Sequence, residues 1–96
     1  MLNNKLSFNL PVLITKQNKR FVVYTPALDI STSGKSEKEA KKRFVKIVNV
    51  FLEEIIEAKT IEDVLSELGW KKVQKKWAPP KVVSSNFINL KIPSLA

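Results

Sequence analysis

Apolar side chains recur at every second position near the start of the chain and predict a first β-strand. The alternating residues are Leu6, Phe8, Leu10, Val12 and Ile14. A period of two is expected where one face of a strand is buried and the other meets water. Pro11 lies on the opposite face and lacks an amide hydrogen, so we expect this strand to lie at the edge of a sheet or to be bulged there.

Two further strands are predicted before residue 35. Residues 16–19 are polar and typical of a hairpin turn. β-branched and aromatic residues then follow one another at 21–24, which favours a central strand, and the proline corner that comes next ends it. Leu28 and Ile30 alternate into a third short strand that ends at Gly34. The pattern therefore predicts three strands joined by short connections.

A long helix is predicted after the third strand. Ser36 and Glu39 form a capping box, because the serine hydroxyl can accept from the amide of Glu39 while the carboxylate reaches back to the amide of Ser36. Apolar residues at helical spacing then predict a stripe that covers the sheet. The stripe contains Ala40, Phe44, Ile47, Val48, Phe51 and Ile55. Val45, Leu52 and Ile56 widen it, which indicates contact with the next helix or with a second subunit.

The remaining residues predict a short helix, a break and a late strand. Thr60 is typical of a helix start, and Gly69 of its end. Residues 70–77 alternate poorly and fit either a strand or a loop, after which Pro79 and Pro80 force an extended break. The late strand would carry Ile88, Leu90 and Ile92 on one side and Phe87, Asn89 and Lys91 on the other. It could pair with its own sheet, or with a neighbour's sheet and so lock a dimer by strand exchange.

Composition fits a single globular domain of 96 residues, with 44% hydrophobic and 27% charged residues. Such a small chain buries only about two thirds of its surface on folding, so we expect a homo-oligomer, either a dimer or a tetramer. The net charge of +8 is uneven, because residues 70–96 contain six lysines and no acid. The tail is therefore the basic part of the chain.

Several classes of function are disfavoured by what the sequence lacks. It has no cysteine and no histidine, which removes thiol nucleophiles and the commonest metal ligand and general base. We accordingly expect a binding protein and not an enzyme, with no cofactor and no metal. The sequence shows neither a run of about 18 apolar residues nor a secretory signal over residues 1–5, so we expect a cytoplasmic protein without a membrane partner.

The joint between the sheet and the long helix is similar to that of the HicB antitoxins. The residues that carry the resemblance are Leu10-Pro11-Val12, Phe21-Val22-Val23-Tyr24, Pro26, Leu28, Gly34-Lys35-Ser36 and Glu39-Ala40. The resemblance covers about residues 6–69. It implies an α+β chain with the partial ribonuclease-H-like fold. The elements of this fold would be a three-stranded antiparallel sheet in β-β-β-α order, then a short helix and a further strand. Residues 1–69 would form the HicB-like domain, and residues 70–96 a basic extended segment of the same domain or an oligomer-forming arm.

The resemblance implies a partner, because HicB antitoxins neutralise a HicA toxin, a small ribonuclease that cleaves messenger RNA, by covering its active surface. Many members also carry a C-terminal DNA-binding domain, which is not evident in this extended tail. Ribonuclease H chemistry needs several carboxylates converging on divalent metal ions. The predicted strands supply Asp29 alone, so we interpret it as a turn residue or a partner contact.

Nucleic-acid binding is the alternative function. Aromatic and basic residues interleave in the tail, where bases could stack on indoles while lysines contact phosphates. The candidate nucleic-acid contacts are Lys42, Arg43, Lys46, Lys71, Lys72, Lys75 and Lys76. In the competing interpretation both indoles pack on the sheet or across a subunit interface. The residues expected at a partner or oligomer interface are Tyr24, Asp29, Trp70, Trp77, Phe87, Ile88 and Leu90.

Overall fold

Three antiparallel strands form the sheet at the centre of the chain, as the sequence predicts. The computed structural model describes residues 9–93. In it the sheet has the spatial order β1 (Leu13–Gln17), β2 (Arg20–Thr25) and β3 (Ile30–Gly34). The predicted central strand is therefore central, and the first strand lies at an edge. Asn18 turns the chain between β1 and β2 with a φ of 59°, a left-handed conformation that asparagine tolerates.

The first strand begins later than its alternation predicts. Residues 9–12 are not a strand, and residues 6–8 of the predicted strand lie outside the described part of the chain. Pro11 has no amide hydrogen for a ladder. Its carbonyl oxygen accepts a hydrogen bond from Oγ1 of Thr25 at 2.8 Å. The segment before β1 is thus held by a side chain and not by a neighbouring strand.

Two helices and a small hairpin follow the sheet. Helix α1 spans Glu37–Glu57 and α2 spans Ile61–Glu67, after which β4 (Lys71–Val73) pairs with β5 (Lys76–Ala78). Ser36 caps α1 as predicted, since its hydroxyl accepts from the amide of Glu39 at 3.1 Å. The predicted return bond, from the amide of Ser36 to the Glu39 carboxylate, is wrong by one residue. The carboxylate instead accepts from the amide of Lys35 at 3.1 Å.

The core lies between α1 and one face of the sheet. Its buried apolar residues are Val23, Ala27, Leu28, Ala40, Phe44, Val48, Ile55, Leu65 and Trp70. Helix α1 packs mainly on β2 and β3. Ile47, which the pattern assigned to the covering stripe, is 41% exposed, and Val45 and Ile56 are more than half exposed. Part of the widened stripe is therefore left uncovered within residues 9–93.

The predicted late strand does not form. Residues 79–93 have no regular secondary structure, although the apolar alternation within them is the pattern of a strand. A strand needs a neighbour for its backbone groups, and no strand within residues 9–93 pairs with this segment. Among the described residues, no helix is long and apolar enough to cross a membrane.

Candidate functional site

One face of the sheet is left open by the packing of α1. Val23 and Thr25 are buried beneath the helix, so the alternation of β2 turns Val22 and Tyr24 toward the other side. Residues paired across antiparallel strands share a face. The open sheet face therefore consists of Leu13, Thr15, Gln17, Arg20, Val22, Tyr24, Ser31 and Ser33.

A hydrogen bond fixes Tyr24 at one end of the open sheet face. Its phenol donates to Oδ1 of Asp29 at 3.0 Å. This bond is the largest cause that raises the pKa of Tyr24 above its ordinary value. Asp29 has a φ of 56°, in the left-handed region that aspartate tolerates better than most residues. The structure thus brings together two of the predicted interface residues.

The open sheet face is close to neutral although the chain is strongly basic. Its one cation is Arg20, whose Nε donates to Oγ of Ser33 at 3.2 Å. The carboxylate of Asp29 lies at the border of the face, within hydrogen-bonding distance of Tyr24. One positive and one negative charge therefore offset each other there. Sequence reasoning missed Arg20 and Val22, because only strand register shows which side chains share a face.

Arg43, a predicted nucleic-acid contact, is engaged with the edge of the sheet. Its Nη1 donates to the backbone carbonyl of Ser33 at 3.2 Å, and its Nη2 lies 3.5 Å from the Glu39 carboxylate. The amide of Lys35 holds the pKa of Glu39 below its ordinary value. Lys42 and Lys46 are exposed on α1. Of the three predicted basic residues on the helix, Arg43 therefore has a structural role.

Trp70 is a core residue, so its indole packs within the fold, as in one of the alternatives from the sequence, and its ring is not exposed for stacking on a base. Its side chain is 4% exposed, and its indole Nε1 donates to the carbonyl oxygen of Ala27 at 2.7 Å. This contact ties the start of the tail to the turn before β3. The sequence does not indicate this contact, because Trp70 and Ala27 are 43 residues apart.

The four tail lysines predicted as nucleic-acid contacts share the hairpin of β4 and β5 with Trp77. Lys72 lies opposite Trp77 in the hairpin, with its Nζ 5.7 Å from the centre of the ring and 3.1 Å from Oε1 of Glu62. Lys71, Lys75 and Lys76 are exposed, and Trp77 is half-buried. By this register Lys72 and Trp77 share one face of the hairpin, while Lys71 and Lys76 lie on the other face and Lys75 lies at the turn.

The remaining predicted interface residues lie on the extended tail. Phe87, Ile88 and Leu90 are between 80% and 105% exposed. Within residues 9–93, no three acidic side chains are grouped so that they could hold a metal ion.

Comparison with known proteins adds no assignment to this geometry. No protein-family model matches the chain, and neither a curated protein nor a solved structure does.

Proposed function

We propose that the chain is a HicB-like antitoxin with the partial ribonuclease-H-like fold, and that it binds a HicA-type ribonuclease through the open sheet face. The order of the elements supports this, since three antiparallel strands lead through Gly34 and the Ser36 cap into a long covering helix. The helix occupies one face of the sheet, which leaves the other face free for a protein partner.

The charge of the open sheet face is the observation that carries the proposal. A ribonuclease that binds RNA is expected to be basic, and like charges placed across an interface weaken binding. The chain has a net charge of +8, so most of its surface repels such a partner. The open sheet face, with Arg20 offset by Asp29, is one part of the described surface that a basic toxin approaches with little repulsion.

Tyr24 is the side chain best placed to anchor the partner. Tyrosines are enriched among the residues that dominate binding energies, because a rigid ring gives a large contact area together with a hydrogen bond. The bond to Asp29 holds the ring in place before binding, so less conformational entropy is lost in the complex.

The first prediction is that Tyr24→Ala weakens toxin binding by about 30-fold, the loss of about 2 kcal/mol that defines a dominant interface residue. The measurement is calorimetric titration of the chain with a small basic ribonuclease from the adjacent reading frame, alongside inhibition of its RNA cleavage. Lys42→Ala is the control, since Lys42 is exposed on α1 away from the open sheet face. Equal affinities for the two variants would place the contact elsewhere, and a wild-type chain that neither binds nor inhibits the ribonuclease would refute the proposed function.

Nucleic-acid binding through the β4–β5 hairpin is the second candidate function. The favouring observation is that three exposed lysines accompany the half-buried Trp77 on one hairpin. Each lysine that neutralises a phosphate of a single strand steepens the dependence of affinity on salt by about 0.7 in a double-logarithmic plot. The aromatic ring would stack on a base whatever its sequence.

For this candidate we expect Lys75→Ala with Lys76→Ala to reduce the salt slope for single-stranded RNA by about 1.4. Fluorescence anisotropy at several salt concentrations gives the slope. The matched control replaces Lys19 and Lys38, which are also exposed but lie on the first hairpin and on α1, and removes the same charge. A slope lowered equally by both pairs would show that net charge alone attracts the RNA and would dismiss the hairpin as a site.

A further inference from the structure

The segment 79–93, called the arm below, exposes six large apolar side chains. They are Val82, Val83, Phe87, Ile88, Leu90 and Ile92, at 57% to 105% exposure. The chain has a radius of gyration of 16.7 Å and a longest dimension of 62 Å. A compact domain of this length has a radius of gyration of about 12 Å. The arm from Phe87 onward therefore extends from the body with its apolar side chains in water, whereas Val82, Ser84 and Ser85 line a pocket with residues 11–13 and Pro26.

The arm has the pattern of a strand that is buried on one side. Ile88, Leu90 and Ile92 alternate with the polar Asn89 and Lys91. Such alternation is typical of a strand that has one face against an apolar core and the other in water. Since the single chain supplies no partner strand to the arm within residues 9–93, the pattern points to an edge on another molecule.

The outer edge of β3 is open to a further strand except at the carbonyl of Ser33, which Arg43 occupies in the single chain. The carbonyl of Ser33 bonds to Arg43 and so points away from β2. Backbone groups two residues apart point to the same side of a strand, so those of Ser31 also face outward. Beyond Arg43 on the same side of α1, at helical spacings of four and seven residues, lie Ile47 and Val50. These side chains are 41% and 53% exposed, and they provide an apolar wall beside this edge.

The edge of β1 is less suited to the arm. Lys16 lies on that edge with its ammonium 5.6 Å from the centre of the Phe21 ring, on the core face of the sheet. A lysine at this position is a common protection of strand edges, because an added strand would bury its charge. The arm carries Lys81 and Lys91 and no acid, so the arm and Lys16 would also repel each other.

Charge favours a second copy of the chain as the partner of the arm. Helix α1 carries Glu53, Glu54 and Glu57 in its C-terminal half, where acids oppose the helix dipole. None of the three takes part in an ion pair within the described residues. The arm, with Lys81 and Lys91 and no acid, has the opposite net charge to this half of α1.

We propose that residues 86–92 of one copy form a fourth strand along β3 of a second copy, and that two copies exchange arms about a two-fold axis. Ile88, Leu90 and Ile92 then pack against Ile47 and Val50 of the partner copy, while Asn89 and Lys91 point to the open sheet face. The inference does not depend on toxin binding, since it concerns only contacts between identical chains.

Aspartate substitutions on the two sides of the arm test the proposal. In light scattering we expect the wild-type chain to have twice the 10.9 kDa mass of one chain. We expect Leu90→Asp to raise the dimer dissociation constant at least 100-fold. Asn89→Asp is the matched control, because it adds the same charge one residue away on the other side, and it should remain dimeric. Leu90 is 81% exposed in the single chain, so its replacement leaves the fold intact, as circular dichroism will verify. A monomeric wild-type chain, or equal effects of both substitutions, would overturn the proposal.

Engineered cysteines distinguish exchange between copies from docking within one copy. The chain has no cysteine of its own, so introduced thiols report a single pairing. Ser31→Cys in one chain and Phe87→Cys, Asn89→Cys or Lys91→Cys in another place both thiols on the open sheet face. Under oxidation, one of these mixtures should give a disulfide-linked pair on a non-reducing gel. A doubly substituted chain that instead closes on itself and runs as a monomer would refute exchange, as would the absence of any disulfide.

Discussion

Replacing Trp70 by alanine is expected to lower the free energy of unfolding by about 3–5 kcal/mol, the usual cost of removing a buried tryptophan. This is a large share of the about 5–15 kcal/mol that stabilises a typical domain. The indole fills the core between Ala27 and Leu65, and its Nε1 satisfies the Ala27 carbonyl at 2.7 Å. The substitution therefore leaves both a cavity and an unpaired buried acceptor. Urea titration followed by circular dichroism measures the loss.

Two further variants separate the contributions of the indole. Trp70→Phe keeps most of the apolar volume but removes the donor, so a loss of about 1–3 kcal/mol is expected for the unpaired carbonyl. Trp77→Ala is the control for removal of an indole, since Trp77 is half-buried on the hairpin and its loss should cost less than that of Trp70. Equal losses at the two positions would contradict the assignment of Trp70 to the core.

The local features of this chain could be predicted because local interactions determine them. The cap at Ser36 depends on a residue three positions away, and the turn at Asn18 on the conformations that asparagine tolerates. Asp29, interpreted as a turn residue, lies in the turn before β3 with a φ of 56°. Each was accessible to reasoning about short stretches of sequence.

Packing of Trp70 within the fold was one interpretation of the sequence, but its partner could not be predicted, because the Ala27 carbonyl lies 43 residues earlier. The alternation over residues 70–77 is interrupted where Gln74 and Lys75 both adopt positive φ values, at the tight turn between β4 and β5. A strand pattern with such a break predicts neither the hairpin nor which side of it is buried. The tail was therefore interpreted as more exposed than it is at its start.

The predicted late strand failed for a related reason. Alternation expresses a preference for a half-buried extended conformation, but a strand forms only beside another strand. The pattern at Ile88, Leu90 and Ile92 specifies the face that would be buried and does not specify the edge that buries it. The outward carbonyl of Ser33 and the exposed side of α1 indicate the outer edge of β3 instead.

Gly34→Ala is expected to lower the free energy of unfolding by about 3 kcal/mol, at the upper end of the usual cost of overpacking. A Cβ at this position would lie 2.7 Å from the backbone nitrogen of Ala40 and 3.0 Å from its Cα. These are backbone atoms of the first turn of α1, so no side-chain rotation can relieve the clash. Ala40 is also fixed by the bond from its amide to the Ser36 carbonyl at 2.9 Å, and relief requires the helix to move off the sheet.

Two alanine variants serve as controls for Gly34→Ala in the same urea titration. Ser33→Ala changes the neighbouring residue of β3 and should cost no more than the hydrogen bond from Arg20, about 1 kcal/mol. Gly69→Ala introduces a side chain at a φ of 91°, but its Cβ would meet only Pro80 at 3.9 Å, so the cost is backbone strain without a clash. If all three variants lose similar stability, the close approach of α1 to β3 at Gly34 does not limit the packing of the helix on the sheet.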